Sequence, residues 1–155
     1  MLELNNEKIK RADVCDAAEI AVIENVCFSS PYSEASLADM LASPLHPSFV
    51  YRDEDGKMLG YLLGNMIVPE GDLLRIAVLP DARRQGTGRI LLEAFLSHLR
   101  DMGCTVCFLD VREHNLAAQA LYKSYGFVPF DRRKGYYHLP TEDAIVMRLS
   151  LEAEK

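Results

Sequence analysis

Residues 72–111 contain the pattern that most limits how this chain can fold. An apolar stretch at 72–79 precedes an amphipathic helix at 88–102, and a second, mostly apolar stretch spans 105–111. A helix of this length between two strands suits a right-handed crossover, which makes the two strands parallel neighbours in one sheet. Because open α/β sheets bind ligands at the carboxyl ends of such strands, we expect a site after residues 79 and 111.

The remaining segments extend this unit to a mixed α/β sheet. We predict strands at 7–11, 48–52, 58–68, 127–130 and 144–149, and helices that begin after Asp13, Ser33 and Asn115, residues that favour the N-cap position. The predicted order is β-α-α-β-β-β-α-β-α-β-β. A length of 155 residues and the lack of an internal repeat or linker predict one domain over residues 1–155.

The charge balance argues against two classes of partner, nucleic acids and anionic membranes. Seventeen basic and 23 acidic side chains give a net charge of −6, whereas nucleic-acid and anionic-membrane surfaces need basic patches. A cationic partner such as an amine is compatible with this charge. Four cysteines are too few for a disulfide framework. With no signal-peptide pattern and no membrane-length apolar run, we expect a cytoplasmic protein without nucleic-acid or membrane partners.

The loop between strand 72–79 and the next helix has the composition of a phosphate site. Gly86 and Gly88 allow the backbone to curl with its N–H groups inward, and the helix adds the positive end of its dipole. A tight turn with arginines on a solvated rim is the alternative. The loop lacks both the Walker and the dinucleotide-binding patterns. The predicted phosphate-binding residues are Arg83, Arg84, Gln85, Gly86, Thr87, Gly88 and Arg89.

These residues carry a resemblance to a known family. The run Arg83-x-x-Gly86-x-Gly88 after Ile76-Ala77-Val78 resembles the acetyl-CoA motif of the GNAT N-acetyltransferases, and the similarity extends over about residues 9–150. The segments that begin at Pro31 and Tyr136 resemble the RimI-like branch, whose members acetylate the N-terminal alanine of a small-subunit ribosomal protein. Further matching segments are Leu109-Asp-Val-Arg112, Asn115, and Leu121-Tyr122-x-x-x-Gly126-Phe127.

The resemblance implies the GNAT acyl-CoA acyltransferase fold, a mixed central sheet with splayed parallel strands and about four helices. It implies acetyl-CoA as the cofactor. The backbone of Ile76, Ala77 and Val78 would pair with the pantetheine arm, the 84–89 loop would bind the pyrophosphate, and Asn115 would touch the arm. We expect no metal, because the chain contains neither His-Glu-x-x-His nor paired C-x-x-C motifs.

Two residues are the predicted catalytic groups. Tyr122 lies two helical turns after Asn115 and on the same face, and the resemblance makes it the general acid; the alternative is a packing aromatic. Asp110 stands where the RimI-like pattern has a glutamate as general base. Its side chain is one methylene shorter than that of glutamate. Asp110 would therefore reach the amine through a bridging water, or a different residue is the base. The other interpretation is structural: Asp110 pairs with Arg112 or caps local backbone.

Three tyrosines are the predicted acceptor-binding residues. Tyr136 and Tyr137 are adjacent and should face opposite sides of a strand; the resemblance places this region in the peptide groove. Tyr32, with Phe28, would close the opposite wall, although each of these aromatics has packing as its alternative. The charged run 132–134 is predicted to be a solvated face.

We therefore expect an N-acetyltransferase that transfers acetyl from acetyl-CoA to a protein N-terminal α-amine by direct transfer in a ternary complex. The resemblance points to the N-terminal alanine of a ribosomal protein as acceptor. Two alternatives stay open at this stage. In the first, the enzyme acetylates a small-molecule amine or a lysine. In the second, the chain is a non-catalytic regulatory module that binds acyl-CoA.

Overall fold

The structure, a computed structural model, describes residues 8–152, so Glu7 of the first predicted strand lies outside the described residues. Within them, seven strands form one sheet in the order β1-β2-β3-β4-β5-β7-β6 and four α-helices pack on it. This confirms the predicted mixed sheet with four helices. The elements are β1 Ile9–Arg11, α1 Ala17–Cys27, α2 Glu34–Ala42, β2 Phe49–Arg52, β3 Met58–Ile67, β4 Glu70–Val78, α3 Thr87–Asp101, β5 Val106–Arg112, α4 Leu116–Ser124, β6 Val128–Tyr137 and β7 Glu142–Ser150.

The parallel pair predicted from the crossover is β4 and β5. The ladder begins at Glu70, opposite Val106, and ends at Leu73, opposite Leu109. Beyond this point β4 continues beside β3, and β5 continues beside β7. The carboxyl halves of the two parallel strands therefore part and open a cleft in the middle of the sheet.

A β-bulge in β4 coincides with the point where the strands part. Leu63 of β3 lies opposite Arg75, but the next residue, Gly64, lies opposite Leu73. Leu74 is the extra residue on β4, and a bulge of this kind bends its strand and increases the local twist. The bulge thus directs the end of β4 away from β5.

Apolar side chains cover both faces of the sheet. On one face, α3 buries Leu91, Phe95 and Leu99 against the strands, as its helical spacing predicts. On the other face, α1 and α2 pack Ile20 and Leu37 against the strands. Strand β3 runs through the middle and is buried over most of its length on both sides, which explains why its sequence is almost continuously apolar.

The predicted caps hold the helix starts. Ser33 accepts a hydrogen bond from the Ser36 N–H at 3.1 Å. Asn115 does the same for Ala118 at 3.1 Å. Asp13 caps a single 3₁₀ turn, Val14–Asp16, which leads into α1. These side chains satisfy backbone N–H groups that have no partner within their own helix.

Strand β6 is longer than predicted. The sequence predicts a strand at 127–130, whereas β6 spans Val128–Tyr137 at the edge of the sheet. Most of its residues are exposed, and its middle carries the charged run 132–134. An edge strand that buries neither face has no apolar alternation to reveal it, and charges are common on such edges.

Gly64 offers a test of the packing beside the bulge. A Cβ at this position would lie 2.3 Å from Phe95 Cε1 and 2.5 Å from the Pro47 carbonyl oxygen. We expect Gly64→Ala to lower the free energy of unfolding by about 1–3 kcal/mol, because the core around Phe95 must shift. Denaturant unfolding measures this difference.

Gly88→Ala is the matched control, because a Cβ there meets only Leu121 Cδ2 at 3.8 Å. Its unfolding free energy should stay the same or rise by up to about 1 kcal/mol, because Gly88 lies within α3 and alanine favours the helix more than glycine does. Equal stability of the Gly64→Ala variant and the wild type would contradict the packing described for β3 and α3.

Candidate active site

Two adjoining cavities occupy the cleft between β4 and β5. The aspartate cavity, of 410 Å³, is lined by Asp72, Asp110 and Asp131 together with aromatic residues. The α4 cavity, of 590 Å³, lies toward α4 and is lined by Asn115 and Tyr122. The two share the residues at the parting of the strands, which are Leu73, Leu74, Arg75, Asp110, Tyr136 and Tyr137.

The edge of β4 that faces the cleft has free backbone positions. The Leu79 N–H donates to the Leu59 carbonyl of the neighbouring chain segment at 2.8 Å, and backbone groups of a paired antiparallel strand point alternately to its two sides. With the constant register of this stretch, Ala77 faces β3, whereas Ile76 and Val78 direct their N–H and C=O groups toward β5. Ile76 and the N–H of Val78 thus offer an open ladder, whereas the backbone of Ala77 is already used. The Val78 carbonyl accepts a hydrogen bond from Arg83 Nε at 3.0 Å.

The predicted phosphate loop leads directly into α3. Gly86 is the N-cap at φ 84°, and no side chain caps this end of the helix. Arg84 also adopts a positive φ, 66°. The first N–H groups of α3 therefore end in an exposed turn, where the helix dipole favours an anion. The second predicted glycine, Gly88, has helical geometry and leaves room beside Leu121.

The three predicted arginines lie in different surroundings. Arg83 turns back along β4, where its Nε donates to the Val78 carbonyl at 3.0 Å and its Nη2 lies 3.8 Å from Cys27 Sγ. Arg89 lies beside the end of α4, 5.6 Å from the Tyr125 ring. Arg84 is exposed, as are Gln85 and Gly86, whereas Thr87 is buried. The loop residues therefore do not gather into one arginine cluster.

Tyr122 is buried in the wall of the α4 cavity. Its ring packs edge-on against Phe127, with centroids 5.8 Å apart, so the packing interpretation is part of its role. Burial, reinforced by Tyr137 and Cys107, raises the pKa of the Tyr122 phenol well above its ordinary value. A phenol is protonated at physiological pH in any case, and the raised pKa keeps Tyr122 a hydrogen-bond donor beside the cleft at alkaline pH as well.

Asp110 lies on β5 just past the last parallel pair and lines both cavities. It accepts a hydrogen bond from Arg133 Nε at 3.3 Å. The pairing with Arg112 considered from the sequence is wrong, since Arg112 instead bonds Glu142 at 3.1 Å. Residue 133 also shows that the run 132–134 is more than a solvated face, because β6 brings it to the cleft.

Asp72 is a cleft carboxylate that the sequence analysis missed. It lies on β4 opposite Phe108, two residues before Asp110 on the neighbouring strand, so the two carboxylates share one face of the sheet. Burial raises the pKa of Asp72, and the charges of Glu70 and Asp110 add to this shift. The register of the predicted parallel pair β4 and β5 was the signal that could have placed Asp72 beside Asp110.

Tyr136 and Tyr137 do not face opposite sides, so that prediction is wrong. Their rings touch at 5.1 Å between centroids, and both line the two cavities. Gly135, at φ 59°, precedes them, and the β6–β7 register shifts between Arg133 and Tyr137, which breaks the alternation of a regular strand. Burial and the nearby Asp110 raise the pKa of Tyr137 to about 12.

Tyr32 is on the opposite wall, as predicted, and lines the aspartate cavity. Phe28 lines the α4 cavity. Both rings contact Arg75, which the sequence analysis did not single out. Within residues 8–152, no group of three or more His, Cys, Asp or Glu side chains is arranged to hold a metal ion.

None of the helices within residues 8–152 has the length and apolar character needed to cross a lipid bilayer.

Comparison with known proteins identifies the family. The Acetyltransferase (GNAT) family profile matches residues 17–127, which is more than half of the chain. This chain belongs to the GNAT acetyltransferase family. The predicted fold, the acetyl-CoA cofactor and the acetyl-CoA-dependent N-acetyltransferase activity are thereby confirmed.

Similar GNAT proteins carry a shared name. The [ribosomal protein bS18]-alanine N-acetyltransferase of Escherichia coli is 42% identical over 102 residues, covering 63% of this chain and 68% of that protein. The enzyme of that name from Haemophilus influenzae is 30% identical over 143 residues, covering 90% and 95%. The crystal structure of the ribosomal-protein-S18-alanine N-acetyltransferase from Escherichia coli superimposes with a TM-score of 0.87 at 34% identity and covers 95% of each chain. The resemblance to the RimI-like branch is confirmed.

The raised pKa of Tyr122 predicts how the phenols of this GNAT protein titrate. Folded wild type and Tyr122→Phe should form equal amounts of phenolate up to about pH 11, because burial keeps Tyr122 protonated there. Ultraviolet absorbance of phenolate during an alkaline titration measures this.

The unfolded chains provide the control for that titration. In denaturant all seven tyrosines ionise, so the variant should lose one seventh of the phenolate signal. Near the ordinary pKa of a phenol, about 10, a smaller phenolate signal for the folded variant than for folded wild type would contradict the burial of Tyr122.

Proposed function

We propose that this GNAT enzyme acetylates the free α-amine of a protein N-terminus, in particular the N-terminal alanine of a small-subunit ribosomal protein. The observation that carries this proposal is the cleft itself. Tyr122, a buried phenol, lines the α4 cavity, and the carboxylate of Asp110 lines both cavities just past the last parallel pair of β4 and β5, which supports a proton donor and a proton acceptor in one cleft. The similar bacterial enzymes named for bS18 alanine support the acceptor class.

The residues of the cleft fit acetyl-CoA. When bound, this cofactor supplies an activated acetyl thioester. Ile76 and Val78 present the open ladder for the pantetheine arm, and the uncapped start of α3 presents N–H groups for the pyrophosphate. Arg84 and Arg89 add positive charge around that loop. Asn115 lines the α4 cavity, and its Oδ1 caps α4, so its Nδ2 is the atom assigned to the cofactor arm.

In the proposed transfer, Asp110 and Tyr122 each move one proton. Backbone N–H groups near Val78 would stabilise the negative charge that develops on the acyl oxygen during attack by the neutral amine. Asp110 would accept the proton that the amine loses, directly or through one water, and would pass it to solvent. Tyr122 would donate its proton to the departing thiolate, and solvent would restore that proton. We propose transfer in one ternary complex, with amine and thioester held side by side.

Acceptor recognition is assigned to the walls of the aspartate cavity. Tyr32 lies on one wall, and Tyr136 and Tyr137 lie on the other. The lining of this cavity carries three carboxylates and two guanidinium groups, and this net negative charge suits an amine terminus. These residues are Asp72, Asp110, Asp131, Arg75 and Arg133. A cytoplasmic location and the lack of nucleic-acid and membrane partners remain proposals that rest on the acidic net charge and on four free cysteines among the described residues.

The test of the proposed function is release of free thiol from acetyl-CoA with a panel of acceptors. Alanine-first peptides should be acetylated, and the same peptides with a blocked α-amine should not. Polyamines and peptides whose only amine is a lysine side chain should react at least about ten times more slowly. Efficient reaction of those amines, or none with any peptide, would contradict the proposed acceptor.

Tyr122→Phe tests the assigned acid in the same assay. Loss of the donated proton should slow transfer by about 100-fold or more, while the affinity for acetyl-CoA stays within about 2-fold. Tyr51→Phe is the matched control, since Tyr51 lies outside both cavities, and it should retain full activity. A Tyr122→Phe enzyme with wild-type turnover would remove Tyr122 from the chemistry.

A further inference from the structure

A fully buried carboxylate lies behind the wall of the cleft. Glu24 of α1 has no exposed surface and accepts three hydrogen bonds. The donors are the Tyr61 hydroxyl, the Tyr32 backbone N–H at 2.8 Å, and Arg75 Nη1 at 2.5 Å. A buried charge persists only when it is paired and hydrogen-bonded in this way. Glu24 therefore fixes both the backbone at Tyr32, just before α2, and the side chain of Arg75.

Arg75 connects this anchor to the segment between α1 and α2. Its guanidinium lies over the Phe28 ring at 4.2 Å and over the Tyr32 ring at 4.4 Å. Its Nη1 also approaches the Ser30 carbonyl at 3.4 Å. The side chain is therefore bound to the beginning, middle and end of residues 28–32, the segment that forms one wall of the cleft.

The position of Arg75 in β4 also allows its side chain to contact a ligand in the cleft. It follows Leu74, the bulge residue, and lines both cavities at the point where they join. Among the described residues, its hydrogen bonds all use Nη1. A guanidinium carries five donors in one plane, so the Nε and Nη2 donors remain for a ligand in the cleft.

We propose that Arg75 determines acceptor specificity: it holds residues 28–32 as a fixed wall and donates a hydrogen bond to a main-chain carbonyl of the acceptor peptide near its amine. This inference rests on the proposed function, because it assumes a peptide acceptor in the aspartate cavity. A peptide offers such a carbonyl next to its α-amine, whereas a simple alkylamine does not.

A purely stabilising role explains the arrangement less well. A buried ion pair adds little net stability over apolar side chains of the same volume. The guanidinium of Arg75 instead contacts two rings and bonds through one nitrogen only. These contacts fix the orientation of its plane relative to residues 28–32. Lysine could replace the charge of Arg75, but it could not replace the planar stack or the second donor edge.

The kinetic test compares Arg75→Met and Arg75→Lys with wild type on an alanine-first peptide. Both variants should raise the KM for the peptide by about 10-fold or more, because each loses the donor fork. The KM for acetyl-CoA should stay within about 2-fold. Arg11→Met is the matched control, since Arg11 also lies over an aromatic ring, Phe49 at 5.6 Å, but outside both cavities.

Hydrogen exchange provides a readout that needs no turnover. The Tyr32 amide bonds to Glu24, so it should exchange slowly in wild type and in Arg11→Met. In Arg75→Met and Arg75→Lys, the amides of 28–32 should exchange about 10-fold or more faster. Arg75→Lys keeps the positive charge beside Glu24, so it serves the test even if Arg75→Met does not fold.

The outcomes separate this inference from the proposed function. An unchanged peptide KM in Arg75→Lys, or a peptide KM and an acetyl-CoA KM that rise together, overturns the role of Arg75 in acceptor specificity. If wild type acetylates no peptide, the proposed function fails instead. In that case unchanged exchange at Tyr32 in both variants would overturn the anchoring as well.

Discussion

The parting of β4 and β5 after Leu73 and Leu109 is the constraint on which the rest of the structure depends. Parallel strands ordinarily share a ladder along their length, and here the bulge at Leu74 ends it after four residue pairs. The open edge of β4, the two cavities and the approach of α4 all follow from this separation. Without it, the same side chains would lie on a closed sheet with no room for two substrates.

Charge around the cleft is organised in pairs. Arg75 bonds Glu24, Arg133 bonds Asp110, and Arg112 bonds Glu142 while it lies over the Tyr137 ring at 4.4 Å. Each pair connects two different elements, so the ion pairs set the positions of the walls. The Arg133–Asp110 and Arg112–Glu142 pairs are partly exposed, so they contribute little to stability and their effect is mainly geometric.

The sequence predicted the parts of the site that local patterns control. The crossover, the helix caps and the glycine turn before α3 depend on a few neighbouring residues, and each was found where predicted. Asp72, Arg133 and the Glu24–Arg75 pair were missed because their partners lie on distant segments and only register or packing brings them together. The prediction that Tyr136 and Tyr137 face opposite sides failed for a different reason. It assumed a regular strand, whereas Gly135 and a register shift interrupt the strand at this point.

The most direct measurement of the central claim is residue-resolved amide exchange with and without acetyl-CoA. If the cofactor completes the open ladder of β4, the amides of Ile76 and Val78 should become protected on binding. The Ala77 amide, already directed to β3, should be protected to the same degree in both states. Binding of acetyl-CoA that leaves Ile76 and Val78 unprotected would contradict the account.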